Sequence, residues 1–184
     1  MYIYRMNQKP IYMILSCDDK NGIGYKNALP WCISDDLMYF KKMTTNVEDN
    51  SKQNMIIMGK KTWESLPYQP LPKRVNMILS RTKSVINPDI SIISNQPIRH
   101  SISLESAITN ANCDSTIENI FIIGGACLYN EALSKKICDK IFLTKVDGSH
   151  DVDTYIDPIC ESDYHISDMK LCDGHSFITY NRTI

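Results

Sequence analysis

Long apolar runs are missing from this sequence. No stretch approaches the roughly 18 apolar residues that a membrane span requires. The first residues, MYIYRMNQKP, hold no sustained apolar segment of the kind a secretory leader uses. A soluble, cytoplasmic protein with no membrane partner is expected. A charge excess is missing as well: 20 Lys and Arg against 21 Asp and Glu leave a formal charge of -1. The electrostatic footprint of a general nucleic-acid binder is therefore absent, and no nucleic-acid partner is expected. Cys-x-x-Cys is absent although the chain has seven cysteines, an odd count that suits reduced thiols better than a disulfide framework. Cys160, His165, Cys172 and His175 lie near one another in sequence, but their spacings match none of the common zinc patterns, so no metal is expected. Internal repeats and low-complexity segments are lacking too. At 184 residues the chain reads as one domain able to bury its own core, with residues 1–9 expected to be a flexible N-terminus.

What is present is organised around Asn21 to Thr44, NGIGYKNALPWCISDDLMYFKKMT. Gly22, Gly24, Asn27 and Pro30 punctuate a long loop up to Trp31, and loops of that length in compact domains are commonly lids or binding loops. A helix follows from about Ser34 to Thr45, with Ser34 as the expected N-cap. Asp36, Phe40 and Met43 fall on one stripe of it with Leu37 beside them, so Asp36 is expected to face apolar neighbours while Asp35 faces water. A carboxylate so placed loses hydration and holds its proton more readily.

Along the chain, IYMILS (11–16) reads as a buried strand, VEDNSKQ as a solvent loop tolerant of change, and Met55 to Met58 as a strand ending at Gly59. Lys60, Lys61 and Thr62 then open a short helix, where free N–H groups and two cations suit phosphate. Arg74 to Ser80 is the next strand, closed by Ser80 and Arg81 as a second anion site. Residues 90–93 read as a weak strand and Ser103 to Ala111 as a helix with a Ser103 cap. Ile120 to Ile123 leads into Gly124-Gly125 and a helix over Ala126 to Leu133, a junction at which backbone can approach an anion. KIFLTKV is a further strand, and stretches near Tyr164 to Asp168 and Phe177 to Asn181 read as a terminal antiparallel pair. The expected fold is α/β, a mostly parallel twisted sheet with that C-terminal pair and about four flanking helices.

GIG followed by LPW, an acid five residues past the tryptophan, MGKKTWESL, PLPKR, ILSR, IIGGACLY, LTKV and DVDT occur in that order. Jointly these motifs resemble those of dihydrofolate reductases over nearly the whole chain. The resemblance implies a monomer that reduces dihydrofolate with NADPH and binds antifolates. It also implies that Asp36 holds the pterin 2-amino group and N3 with support from Thr144, and that Trp31 and Leu29 of the LPW corner complete the catalytic set. Ile14, Leu37, Phe40, Leu66, Ile123 and Tyr129 would wall the substrate pocket, Leu71 would flank the benzoyl group, and Arg74 would grip the glutamate α-carboxylate. Gly24 to Leu29 would be a mobile lid steadied by Asp153. Cofactor contacts would come from Ser16, Ile23, Gly24, Lys61, Thr62 and the Gly124, Gly125, Ala126, Cys127, Leu128 segment, with Ser80, Arg81 and Lys60 at the 2'-phosphate.

Three residues depart from the family pattern: Ser16 stands where alanine is frequent, placing a hydroxyl near the pterin, and Cys32 and Cys127 replace other residues. A pyrimidine reductase of riboflavin synthesis shares this fold and cofactor but has no reason to keep the LPW corner, its acid, or Arg74. A catalytically silent nucleotide-binding domain is the remaining rival.

Overall fold

Strands buried on both faces are apolar at most positions, and the alternation of their side chains then feeds two cores. The computed structural model of the protein describes residues 8–82 and 98–183. In it Met13 and Leu15 of β1 (Ile11–Cys17), Met55 and Ile57 of β3 (Gln53–Gly59), and Ile120 and Ile122 of β6 (Ile117–Ile122) face one core. Their neighbours Ile14, Ile56, Met58 and Phe121 face the other. The first core is covered by α3 (Leu104–Asn112) and α4 (Ala126–Ser134), and the second by α1 (Ser34–Thr45) and α2 (Lys60–Ser65).

The remaining strands are β2 (Gly22–Gly24), β4 (Val75–Leu79), β5 (Ile98–Ser101), β7 (Lys140–Val146), β8 (Thr154–Tyr155), β9 (Tyr164–Cys172) and β10 (His175–Arg182). One eight-stranded sheet runs β5-β4-β3-β6-β1-β7-β10-β9, and β2 pairs with β8 in a separate two-stranded ribbon. The strands from β5 to β7 are parallel, while β10 and β9 are antiparallel to their neighbours. The fold class is the one expected from the sequence. The chain crosses from β1 to β3, winds outward to β5, and returns to insert β6 between β3 and β1. The carboxyl ends of β3, β6 and β1 therefore open onto one crevice, the usual ligand position in parallel α/β sheets.

Several local expectations are corrected. Ser34 is the first residue of α1, not its cap; Ile33 is the N-cap and no side chain caps the helix. The loop from Asn21 contains a real strand, because Gly22 and Gly24 pair with Tyr155 and Thr154, and Lys26-Asn27 form a two-residue hairpin turn with φ of 49° and 68°. Tyr25 and Ala28 exchange both backbone hydrogen bonds across it, at 2.9 and 3.0 Å. The acidic loop after α1 is anchored: the N–H groups of Glu48 and Asp49 each donate to the Glu118 carboxylate at 2.8 Å. Lys9, inside the stretch expected to be flexible, is tied to Asn112 and Ile117. Strand β5 was not foreseen, and residues 90–93 lie outside the described residues, as do residues 1–7.

Candidate active site

Asp36 sits half-buried in the first turn of α1, and Thr144, buried in β7, donates its hydroxyl to Asp36 Oδ1 at 2.6 Å. Loss of hydration raises the Asp36 pKa above the ordinary carboxylate value, opposed by the hydrogen bond from Thr144, the charge of His175 and the neighbouring Ser16 hydroxyl. Ser16 lies beside Thr144 in the β1–β7 ladder and accepts a hydrogen bond from Trp31 Nε1 at 3.1 Å. Asp36, Thr144, Trp31 and Ser16 are thus one connected group, assembled from α1, β7, the lid loop and β1.

The cleft wall follows from strand alternation. Ile14 and Ile123 are buried beside Phe40 and Leu66, while Leu37 is 54% exposed and Leu29 50% exposed, so both present apolar surface outward. Tyr129 is set apart: it is buried, its hydroxyl donates to the Ile14 carbonyl at 2.9 Å, and its ring lies 3.2 Å from where a Cβ on Gly124 would stand. Its environment holds the phenol well above its ordinary pKa through desolvation and the nearby Asp36 charge.

Arg74 is 2% exposed, yet no carboxylate pairs with it among the described residues. Its Nη1 donates to Thr44 Oγ1 at 2.7 Å and its Nε to the Pro72 carbonyl at 2.9 Å, with the guanidinium 5.8 Å from the Phe40 ring centroid. Leu71 is held beside it by Asn76, whose side chain accepts from the Leu71 N–H at 3.0 Å and donates to the Leu71 carbonyl at 2.9 Å. A buried cation held by two neutral acceptors is built to receive an anion.

On the other side of the crevice, Gly59 N donates to the Gly124 carbonyl at 2.8 Å, and the Gly124-Gly125 peptide is cis. Gly124 has a φ of +118°, and a Cβ on Gly125 would stand 3.3 Å from Thr62 Oγ1. Gly125 is the N-cap of α4 without a side-chain cap, so Ala126 and Cys127 open a helix whose first N–H groups face this cradle, with Leu128 buried behind them. Lys61 in the first turn of α2 and Arg81 just past β4 are exposed, Ser80 Oγ accepts from Thr82 N at 3.2 Å, and Lys60 pairs with Glu64 at 3.6 Å.

The root of the loop that begins at Asn21 is fixed by Asp18, which its sequence context does not single out. Its fully buried carboxylate accepts from the N–H groups of Lys20, Gly22 and His150 at 2.9, 2.8 and 3.1 Å. Burial alone would raise its pKa, but those three backbone donors and the His150 charge together hold it lower. At the tip of that loop, Asp153 Oδ2 accepts from Lys26 N at 2.8 Å, and Asp153 N donates to the Gly24 carbonyl at 2.9 Å. Ile23 is half-buried between them. The signal for Asp18 is that of a turn and no more: an aspartate followed two and four residues later by Lys20 and Gly22 is an Asx-turn pattern.

Among the described residues no three His, Cys, Asp or Glu side chains converge as metal ligands. No helix among them is long and apolar enough to cross a membrane.

A family model for dihydrofolate reductase matches residues 10–182. The chain belongs to the dihydrofolate reductase family. It is 31% identical over 178 residues to the dihydrofolate reductase of Heliothis virescens, covering 96% of this chain and 94% of that one. It is 38% identical over 141 residues to the dihydrofolate reductase of Candida albicans, covering 73% of this chain and 69% of the other. Against bifunctional dihydrofolate reductase-thymidylate synthase 2 of Arabidopsis thaliana the identity is 34% over 185 residues, with 95% of this chain and 32% of the relative covered. The chain spans about a third of the length of the bifunctional plant relatives.

Proposed function

We propose that this protein reduces 7,8-dihydrofolate to tetrahydrofolate and that its reductant is NADPH. The observation that carries the reading is the Asp36–Thr144 pair, a half-buried acid fixed at 2.6 Å by a buried threonine of the sheet. A pterin presents an amino group and a ring N–H side by side, the donor pattern that one carboxylate can accept. Asp36 would hold that edge, with Ile14, Phe40, Leu66 and Ile123 against the ring and Arg74 on the glutamate carboxylate. Antifolates with a diaminopyrimidine edge would compete for the same acid.

The cradle fits a dinucleotide, since Gly124 and Gly125 leave open the space that Cβ atoms would fill against Tyr129 and Thr62. Lys61, Thr62 and the first turn of α4 would hold the pyrophosphate, and Ser80, Arg81 and Lys60 the 2'-phosphate. When bound, the nicotinamide supplies the hydride for C6 of the pterin. Asp36 polarises the ring through N3 and the amino group, which favours protonation at N5 by water that the Gly24 to Leu29 lid admits. Holding the two rings in register contributes a proximity effect of up to about 7–11 kcal/mol. Seven free thiols are consistent with a cytoplasmic setting.

The test is the loss of NADPH absorbance with and without dihydrofolate, repeated with NADH and with the ribosylaminopyrimidine substrate of riboflavin synthesis. Oxidation that needs both dihydrofolate and NADPH is expected. Turnover of the pyrimidine alone, or no dihydrofolate-dependent oxidation, would overturn the reading.

A further inference from the structure

Alternation along β1 and β7 places Ser16 and Thr144 on the Asp36 side of the sheet, and Cys17, Leu143 and Lys145 on the opposite face. On that opposite face a cleft of about 220 Å³ lies between the sheet and the segment after β8. Leu143 and Ile178 of the sheet and Ile156 and Ile159 of the segment give it apolar walls, and Lys145 is the one charged residue lining it. Lys145 is half-buried; its Nζ donates to the Asp18 carbonyl at 2.6 Å and lies 3.8 Å from Cys17 Sγ. No carboxylate among the described residues pairs with it. An ammonium carries three N–H groups, so one donor remains for an occupant. The acids around it are engaged or screened: the Asp18 carboxylate is held by three backbone N–H groups, Asp19 Oδ2 accepts from Gly148 N at 2.9 Å, and Glu161, whose charge bears on Tyr180, is exposed to water. The apolar surface continues past the cleft. In the β9–β10 ladder Met169 stands opposite Ile178 and Ile166 opposite Tyr180, so each shares the face of a cleft residue, and they are 48% and 51% exposed.

We propose that this cleft is a second small-molecule site, for a medium-chain aliphatic carboxylate whose head meets Lys145 and whose chain lies along Leu143, Ile178 and Ile159 toward Met169. The cation sets the head: a half-buried ammonium beside apolar walls and without a counterion favours a monoanion over a neutral polar group. The volume sets the length. Benzene occupies an apolar cavity of about 150 Å³, so this cleft takes roughly eight to ten heavy atoms, and the exposed row over Met169 accepts a chain end that runs past it. None of the residues that line the cleft is among those placed at the pterin or the dinucleotide, so the proposal does not depend on the reaction the protein catalyses.

The experiment titrates nitrogen-15-labelled protein with octanoate, and in parallel with 1-octanol and hexanoate, and reads the backbone amide signals by NMR. Octanoate is expected to move the signals of Lys145, Ile156 and Ile178 saturably. The alcohol, which has no charge to offer the ammonium, should bind at least about tenfold more weakly. Hexanoate, two methylenes shorter, should also bind about tenfold more weakly. Lys145→Met should reduce octanoate to the level of 1-octanol, while Arg74→Met, which removes the cation of the substrate cleft, should leave its affinity unchanged. Saturable shifts confined to Ile14, Phe40 and Ile123, loss of binding in Arg74→Met, equal affinity for acid and alcohol, equal affinity for the two acids, or no saturable shift at all would each overturn the proposal. Should Lys145→Met fail to fold, the comparison of acid with alcohol on the wild type decides the role of the charge. Ile159→Trp, which places bulk in the cleft, then decides the location: undiminished octanoate binding in that variant would overturn the proposal.

Discussion

Arg74 offers the cleanest test of how the substrate is held. Its guanidinium is 2% exposed, with a hydroxyl and a carbonyl as its bonded partners and no carboxylate among the described residues. Burial pushes its pKa down, the mark of a charge without its counterion. In Arg74→Met the alkyl volume is largely kept, and Thr44 loses one hydrogen bond while still donating to the Phe40 carbonyl at 2.7 Å. Removing the cation costs the free protein its two hydrogen bonds, to Thr44 and to the Pro72 carbonyl, about 1.5–3 kcal/mol each for a charged donor, offset by relief of a buried charge without a counterion. The bound substrate would lose a charged pair of hydrogen bonds, worth about 2–5 kcal/mol when one partner of a buried pair is truncated. That range converts to a rise in the dihydrofolate KM of roughly 30- to 4,000-fold. Because the carboxylate is remote from the reacting ring, kcat should change little, the pattern of uniform binding loss. Steady-state kinetics with dihydrofolate and with dihydropteroate, which has no glutamate, separate the cases. The two substrates should differ strongly in the wild type and converge in the variant. A KM for dihydrofolate that does not move, or an equal loss with both substrates, would refute the assignment of Arg74.

Three further outcomes follow from the geometry. Burial holds the Asp36 pKa above its unfolded value, so this group favours folding below the unfolded pKa, and that contribution is lost as pH rises through the folded pKa. Asp36→Asn should accordingly unfold at a higher temperature than wild type at pH 7, by about 2–4 °C for each kcal/mol recovered, with the gap closing toward acid pH in calorimetry. Gly124→Ala forces a side chain into φ +118° and against the Tyr129 ring at 3.2 Å, so thermal unfolding should show a loss of about 1–3 kcal/mol, and cofactor titration should show weakened binding. Asp153→Ala removes the acceptor of the exposed Lys26 N–H at 2.8 Å, so single-turnover hydride transfer should slow about tenfold while the melting temperature stays within about 1 °C.

The sheet was legible because each of its inner strands is a short unbroken apolar run between turn residues, and Ile120 to Ile123 before two glycines left little alternative. Asp36 was legible for a different reason, as an acid on an apolar helix stripe. The edges were harder. Strand β5, IRHS, has half-exposed Arg99 and His100 and, among the described residues, pairs with β4 alone, so its pattern does not differ from a loop. β2 is three residues of GIG that become a strand only because Thr154 and Tyr155, far along the chain, come to pair with them. The buried polar supports were harder still. Asn76 interrupts an apolar run by one residue and Asn54 stands at the polar start of another, and their hydrogen bonds to Leu71, Thr44 and Asn46 are set by tertiary contacts that local pattern does not encode. Ser16 could be seen as unusual in the strand, but its bond to Trp31 required two segments to meet.

The measurement that bears most directly on the central claim is turnover of Asp36→Asn at saturating dihydrofolate and NADPH near pH 7. Asparagine keeps the shape and can still meet the Thr144 hydroxyl, yet it carries no charge to polarise the pterin. A fall in kcat of about 10²–10⁴ is expected, the usual scale of acid-base assistance. A variant that turns over near the wild-type rate would contradict the role of that carboxylate.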